Sequence, residues 1–202
     1  MIRTVIFDLG KVLIPFDFTR GYRALEELCG CPAGDIPRRI GATGLVPRFE
    51  AGQVGPEDFV RQLCSALEME LDFEKFREIW SCIFLFEPLI PESMIVRLGE
   101  RYRLLLLSNT NALHFPMLRE SFPLLNHFHD YVLSYEVGAM KPSPRIYAEA
   151  IARSGCQPDE CFFTDDVAEY VEGARRAGMD AVQFQNCAQL QNELLSRGID
   201  WR

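Results

Sequence analysis

Thr4-Val5-Ile6-Phe7-Asp8-Leu9-Gly10 sets an uninterrupted β-branched and aromatic run directly against a carboxylate, with a glycine two residues further on. Four apolar residues without polar alternation predict a strand buried on both faces, the pattern of a parallel sheet covered by helices. Leu104 to Leu107, Tyr131 to Ser134, Cys161 to Thr164 and Ala181 to Phe184 repeat that pattern downstream. Helical periodicity fills the intervals. Glu92 to Glu100 is one such segment; Ser143 to Ser154 has Pro144 in its first turn and Gly155 past its end; Ala168 to Ala177 is closed by Gly178. Strands alternating with helices predict an α/β fold, a Rossmann-like parallel sheet wound by right-handed crossovers.

Residues 16–86 break this rhythm. They hold no strand pattern. Tyr22 to Leu28, Pro56 to Leu67 and Phe73 to Phe84 read as amphipathic helices, and Gly41 to Gly55, with four glycines and Pro47, reads as a loop. The expected organisation is a core of residues 1–15 and 87–202, with residues 16–86 inserted as an α-helical cap.

At 202 residues and 48% hydrophobic, the chain can bury a substantial core, and 25% charged residues is a globular composition. A net charge of -8 argues against nucleic acid as a partner, since a backbone binder needs a basic surface. It leaves small anionic substrates open. Asp8 interrupts the first apolar run and no small-residue cleavage site follows, so no signal peptide is expected. Leu104 to Leu107 is too short to cross a bilayer. The expectation is a cytoplasmic protein without a membrane partner. The seven cysteines are odd in number and scattered, which argues against a disulfide framework. Cys29-Gly30-Cys31 lacks a second ligand pair at zinc-site spacing, and the cysteines read as small buried residues.

Ligands of open α/β sheets bind outside the carboxyl ends of the strands. Asp8 follows the first strand, Ser108-Asn109-Thr110 the second, a loop carrying Lys141-Pro142 the third, and Asp165-Asp166 the fourth. Singly, each has an ordinary explanation as a turn, a helix cap or a solvated lysine. Together they bring three carboxylates, an ammonium and a hydroxyl to one crevice. Crowded carboxylates repel one another unless a cation is present, and an oxygen-only ligand set suits Mg²⁺. Such a site could admit a phosphate to an attacking carboxylate, with Ser108 on a phosphoryl oxygen and Lys141 offsetting transition-state charge.

These residues carry a resemblance. Val5-Ile-Phe-Asp-Leu-Gly-Lys-Val-Leu13, Leu106-Leu-Ser-Asn-Thr110, Ser134-Tyr-Glu-Val-Gly-Ala-Met-Lys-Pro-Ser-Pro-Arg-Ile-Tyr147 and Phe162-Phe-Thr-Asp-Asp166 resemble the motifs of the haloacid dehalogenase superfamily, in the subfamily with a small helical cap after the first strand. Arg48-Phe-Glu-Ala-Gly-Gln-Val54 with Phe59 resembles a recurrent cap segment of that group. The resemblance implies Asp8 as nucleophile, Lys141 as the family lysine, Ser108 as the phosphate-binding hydroxyl with Asn109 beside it, and Asp165 and Asp166 as the acidic pair, Asp166 the more direct metal ligand. It also implies that the Gly10 backbone carbonyl faces the metal. The implied function is a Mg²⁺-dependent phosphatase that hydrolyses a small phosphorylated metabolite through an aspartyl-phosphate on Asp8.

Gly10 departs from the pattern, because most family phosphatases place there an aspartate that acts as general acid and base. A branch resembling bacterial sugar-phosphate phosphatases also has glycine at this position, which favours a phosphatase with a sugar phosphate as substrate. The alternatives are a catalytically weakened phosphate-binding member and a 2-haloacid dehalogenase-type hydrolase, to which the acidic pair would be superfluous. Asp17 is a candidate substitute acid or the cap of the first inserted helix. Lys11 is a candidate phosphate contact or an exposed turn lysine. Arg20, Arg48 and Phe49 are candidate substrate-selecting residues of the cap. Glu169 stands near the acidic pair, and His127-Phe-His129 lies before its strand, away from the ligand side. Oligomeric state is not legible.

Overall fold

The computed structural model describes all 202 residues. The first strand, β1 (Thr4–Phe7), is followed by five helices: α1 (Phe18–Cys29), α2 (Ile36–Thr43), α3 (Leu45–Glu50), α4 (Pro56–Leu67) and α5 (Phe73–Ser81). Alternation then takes over: α6 (Glu92–Gly99), β2 (Arg103–Ser108), α7 (His114–Ser121), β3 (Asp130–Leu133), α8 (Ser134–Val137), α9 (Pro144–Ser154), β4 (Cys161–Asp165), α10 (Ala168–Arg176), β5 (Asp180–Gln183) and α11 (Cys187–Ser196). The five strands form one sheet in the order β3-β2-β1-β4-β5, every pairing parallel. The chain winds to one side of β1 and then crosses to the other, so the topological switch lies between β1 and β4, where such sheets open a crevice.

The unbroken apolar strands are explained by burial on both faces. Val5 and Phe7, Leu104 and Leu106, and Phe162 join a core cluster of 25 residues on one side. Ile6, Leu105 and Leu107, and Phe163 join a cluster of 14 on the other. Alternate residues of a strand point to opposite faces, so both sets must be apolar. Each such side chain contributes about 1.5–3 kcal/mol when sealed from water.

The helices between β1 and α6 bury a third cluster of 15 residues, centred on Phe49, Phe59, Leu63 and Phe76. The two chain crossings into this insert run side by side. Asp17 N–H donates to Ile83 O at 2.8 Å, Leu85 N–H donates to Pro15 O at 2.9 Å, and Phe16 bridges Phe84 in antiparallel fashion.

Residues 41–55, expected to be loop, contain the end of α2 and all of α3. The glycines punctuate helices here. Gly44, at φ 61°, is the left-handed residue that ends α2 and begins α3, and Pro47 sits in the first turns of α3, where a missing N–H costs nothing. The first inserted helix is longer than its apolar periodicity, because Asp17 caps it: the carboxylate accepts from Thr19 N at 2.9 Å. All seven cysteines are free; Cys64 and Cys161 are buried as expected, while the other five are only half-buried. No helix is long and apolar enough to cross a membrane.

Candidate active site

Phe7 pairs in register with Thr164, and Asp8 N–H donates to Thr164 O at 3.0 Å. That register sets Asp8, at the end of β1, beside Asp165, at the end of β4. Carboxylate oxygens of Asp8, Asp165 and Asp166 all lie within 4.8 Å of one another. Lys141 arrives from the loop after α8, and its ammonium donates to Asp8 Oδ1 at 2.7 Å, Asp165 Oδ2 at 2.6 Å and Leu107 O at 3.0 Å. Its three protons are thus fully used. The rings of Phe163 and Tyr170 stand 5.7 and 5.2 Å from the ammonium and complete its enclosure.

The lysine is held by its backbone. Asn109 Oδ1 accepts from Lys141 N at 2.8 Å, and Asn109 Nδ2 donates to Lys141 O at 3.1 Å. Ser134 brackets the next residue of the β2 loop in the same way: its hydroxyl accepts from Thr110 N and donates to Thr110 O, both at 3.0 Å. Asn109 and Thr110 therefore lock the end of β2 to the segments that follow β3.

Charge in the crevice does not balance. One ammonium faces three carboxylates, an excess of two negative charges in a buried setting. Burial raises the Asp8 carboxyl well above the usual range; the Lys141 charge opposes this and the neighbouring Asp165 adds to it. Burial and Asp165 also raise Asp166. Burial by itself would lower Lys141, but Asp8 and Asp165 override it and hold the ammonium protonated. An oxygen-only set with surplus negative charge fits a hard divalent cation. Asp165 already accepts from Lys141 and, through Oδ1, from Val167 N at 2.9 Å, whereas Asp166 has no such bond to its carboxylate.

The turn after Asp8 closes tightly. Leu9 O accepts from Leu13 N and Ile14 N, and Lys11 adopts the left-handed region at φ 57°. Lys11 is exposed, with its ammonium 5.1 Å above the Phe16 ring. A Cβ at Gly10 would stand 2.7 Å from Phe16 Cε1.

Above the strand ends lies a chamber of about 420 Å³ between core and insert. Gly10, Ser108 and Asn109 belong to its floor; Phe18, Tyr22 and Trp80 belong to its apolar walls. Glu50 is the only carboxyl on the lining. His114, also lining it, is buried. Its Nε2 donates to Trp80 O at 3.1 Å while Nδ1 accepts from Asn111 Nδ2 at 3.2 Å, so the ring is neutral and ties α7 to the insert. Burial drives its pKa down to about 4.

The structure thus gathers Asp8, Lys141, Asp165 and Asp166 at one point, with Ser108, Asn109 and Gly10 at the chamber floor. Several other candidates stand elsewhere. Asp17 is exposed and spends its carboxylate on the Thr19 cap, whose bonds hold it below the usual carboxylate range. Arg20 and Arg48 are exposed and off the chamber wall, and Phe49 stacks on Phe59 inside the insert at 4.1 Å between centroids. Glu169 is exposed. His127 meets Glu92, and His129 accepts from Leu104 N. The sequence does not single out Glu50, His114 and Tyr170 as site residues; Glu50 lies in the Arg48–Val54 cap segment, but it is packing between distant segments that brings its carboxyl to the chamber.

Residues 2–178 match the haloacid dehalogenase-like hydrolase family. A D-ribitol-5-phosphate phosphatase of Bacteroides thetaiotaomicron is 28% identical over 200 residues, covering 96% of this chain and 97% of that protein. A phosphatase of Mycobacterium tuberculosis is 31% identical over 199 residues, covering 95% and 91%. The crystal structure of a HAD family enzyme from B. thetaiotaomicron, in complex with magnesium and inorganic phosphate, shares the fold at a TM-score of 0.83 and 24% identity, covering 92% and 96%. The strand-end carboxylates, the lysine that joins two of them and this family match lead to one assignment: the chain belongs to the haloacid dehalogenase-like hydrolases.

Proposed function

We propose that this hydrolase is a Mg²⁺-dependent phosphatase that cleaves a small phosphomonoester through an aspartyl-phosphate on Asp8. The observation that carries this reading is the convergence of Asp8, Asp165 and Asp166 within 4.8 Å around the Lys141 ammonium. Asp8, the Gly10 carbonyl, Asp166 and Asp165 would hold the ion. Bound there, Mg²⁺ supplies positive charge that lets an anionic carboxylate approach an anionic phosphate.

Lys141 occupies Asp8 Oδ1, which fixes the carboxylate and leaves Oδ2 to attack phosphorus. The same ammonium counters negative charge as the phosphoryl group transfers. Ser108 binds a phosphoryl oxygen through its hydroxyl. Asn109, whose side chain is committed to Lys141, contributes its backbone N–H. Lys11, exposed beside Gly10, meets the substrate phosphate from solvent. Residues 16–86 act as the cap, which excludes bulk water and reads the leaving group. The relatives named for phosphatase activity support this chemistry, and the ribitol-phosphate enzyme makes a sugar or polyol phosphate the first substrate class to screen.

Displacement of halide from a haloacid by Asp8 is the competing chemistry. It gives Asp166 and its surplus charge no task. Hydrolysis of para-nitrophenyl phosphate with and without Mg²⁺, beside Asp8→Asn, tests the proposal. Metal-dependent turnover that the variant lacks is expected; chloride release from a haloacid without phosphate release would replace it.

A further inference from the structure

Phosphate ester cleavage leaves one proton to place. The oxygen that departs from phosphorus must gain it unless the leaving group is a stable anion. Gly10 offers no side chain, and the Phe16 ring fills the space where one would begin. Asp17 is turned away into its cap. His114 is neutral with both ring nitrogens engaged. The Tyr22 phenol is a weak acid that burial makes weaker.

Glu50 differs from all of these. It closes α3 on the wall of the chamber whose floor is Gly10, Ser108 and Asn109. Its position is fixed from the core side. Gly52, two residues on and at φ 68°, packs so tightly that a Cβ would run into the carbonyl oxygen of Tyr135. Tyr170, which Asn109 Nδ2 reaches at 3.5 Å, senses the charges of Lys141, Asp165 and Glu50 together.

We propose that Glu50 is the acid–base residue of this site, an inference that rests on the phosphatase reading of Asp8. As Asp8 forms its bond to phosphorus, the bond to the leaving oxygen breaks. That oxygen keeps the electron pair and takes the proton from Glu50, so the alcohol departs neutral. The Glu50 carboxylate then removes a proton from water. The water oxygen bonds to phosphorus, the Asp8 oxygen–phosphorus bond breaks, and orthophosphate leaves with both carboxyl groups restored.

The electrostatics suit that cycle. Burial, with no charged partner, pushes the Glu50 carboxyl up to about 7. Ionisable groups do lie around it: Arg48 on α3 itself; Arg38 and Arg39 on α2, Glu57, Asp58, Arg61 and Cys64 on α4, and Tyr135 and Glu136 on α8, the helices packed against α3; Tyr22 and His114 on the chamber lining; and Tyr170 on α10, which feels its charge. Arg38 pairs with Asp35, Arg39 with Glu68 and Arg61 with Asp58, and Arg48 is exposed and makes no ion pair with Glu50. An acid poised near neutral pH can both give and recover a proton.

Glu50→Gln keeps the shape and removes the proton. The measurement is kcat/KM, which reports phosphoryl transfer to Asp8, for aryl phosphates of graded leaving-group acidity and for an alkyl phosphate. Glu50→Gln is expected to lose about 10²-fold or more on the alkyl phosphate. It should stay near wild type on dinitrophenyl phosphate and lose the alkaline limb that Glu50 places near pH 7. Equal loss across the series, or none, overturns the role of Glu50 if Asp8→Asn is inactive throughout. Turnover retained by Asp8→Asn overturns the phosphatase reading itself. Glu50→Ala is the second variant: formate in the buffer should restore its alkyl-phosphate turnover, and failure to do so counts against the proposal.

Discussion

The Lys141 ammonium donates to Asp8 Oδ1 at 2.7 Å, with 1% of one side chain and 11% of the other open to water. Removing the two partners should therefore have opposite effects on stability. Lys141→Met strands three carboxylates without their cation, and breaking a buried pair in this way costs about 3–5 kcal/mol. Asp8→Asn removes surplus negative charge and keeps a hydrogen-bond acceptor for the lysine. Urea unfolding without metal should show Lys141→Met strongly destabilised and Asp8→Asn at or above wild type. Both variants should lack phosphatase activity.

Asp166 and Asp165 sit side by side, yet their oxygens are not equally free. Asp165 is bound to Lys141 and Val167 N. Metal affinity should therefore depend more on Asp166. Mg²⁺ should raise the melting temperature as a ligand that binds only the folded state does. Asp166→Asn should need about tenfold or more Mg²⁺ for the same shift, in the range seen when support of a metal site is lost. An equal response in wild type and variant would remove Asp166 from the ligand set.

The sheet and the strand-end residues were legible because they depend on local pattern. Apolar runs sealed on both faces have no polar alternation, and Asp8, Ser108 and Asp165 directly follow three of them. What the sequence hid depends on contacts between distant segments. Glycines at 41, 44, 52 and 55 look like a loop, but Gly44 separates two short helices and Gly52 serves a close approach to Tyr135. Glu50 falls in the stretch read as loop, where nothing distinguishes its carboxylate. Its burial depends on tertiary packing, with α3 set against α2, α4 and α8. Asp17 shows the reverse case: its helix-cap pattern was visible in the sequence, and the cap is its observed role.

Glu50 links pH to stability with a definite sign. Its folded-state carboxyl lies at about 7, above its unfolded value of 4.5. The folded state keeps a proton that the unfolded chain has already released, so this contribution is complete below about 4.5 and is lost as pH rises toward 7. At about 1.4 kcal/mol per pKa unit, discounted for partial exposure, the loss is about 2 kcal/mol. Unfolding free energies of wild type and Glu50→Gln, compared across that window, should diverge by this amount, with the variant the flatter. Parallel curves would contradict the burial argument.

Gly52→Ala tests how the insert is held on the core. The left-handed φ of 68° disfavours any Cβ, and the Tyr135 carbonyl oxygen occupies its space. A destabilisation of about 1–3 kcal/mol is expected from strain of this kind. If the contact also aims Glu50, kcat/KM for alkyl phosphates should fall further than for dinitrophenyl phosphate. A loss of stability with an unchanged ratio between the substrates would limit Gly52 to holding the insert.

The Gly10 position can be made to carry the proton only if Phe16 yields. Gly10 is outside the left-handed region, so its backbone accepts a side chain; the obstacle is the Phe16 ring, 2.7 Å from the site of a Cβ. In a Glu50→Gln background, Gly10→Asp alone should leave alkyl-phosphate turnover low, because the new carboxyl must displace the ring or point away. Adding Phe16→Ala opens the space, and the triple variant should regain at least about tenfold of a loss that general acids typically set at about 10²–10⁴. Phe16→Ala with Glu50→Gln, lacking the new carboxyl, should regain nothing. Equal rescue by Gly10→Asp with Phe16 in place would show that the ring moves aside freely, and the absence of an acid at position 10 would then have no steric cause.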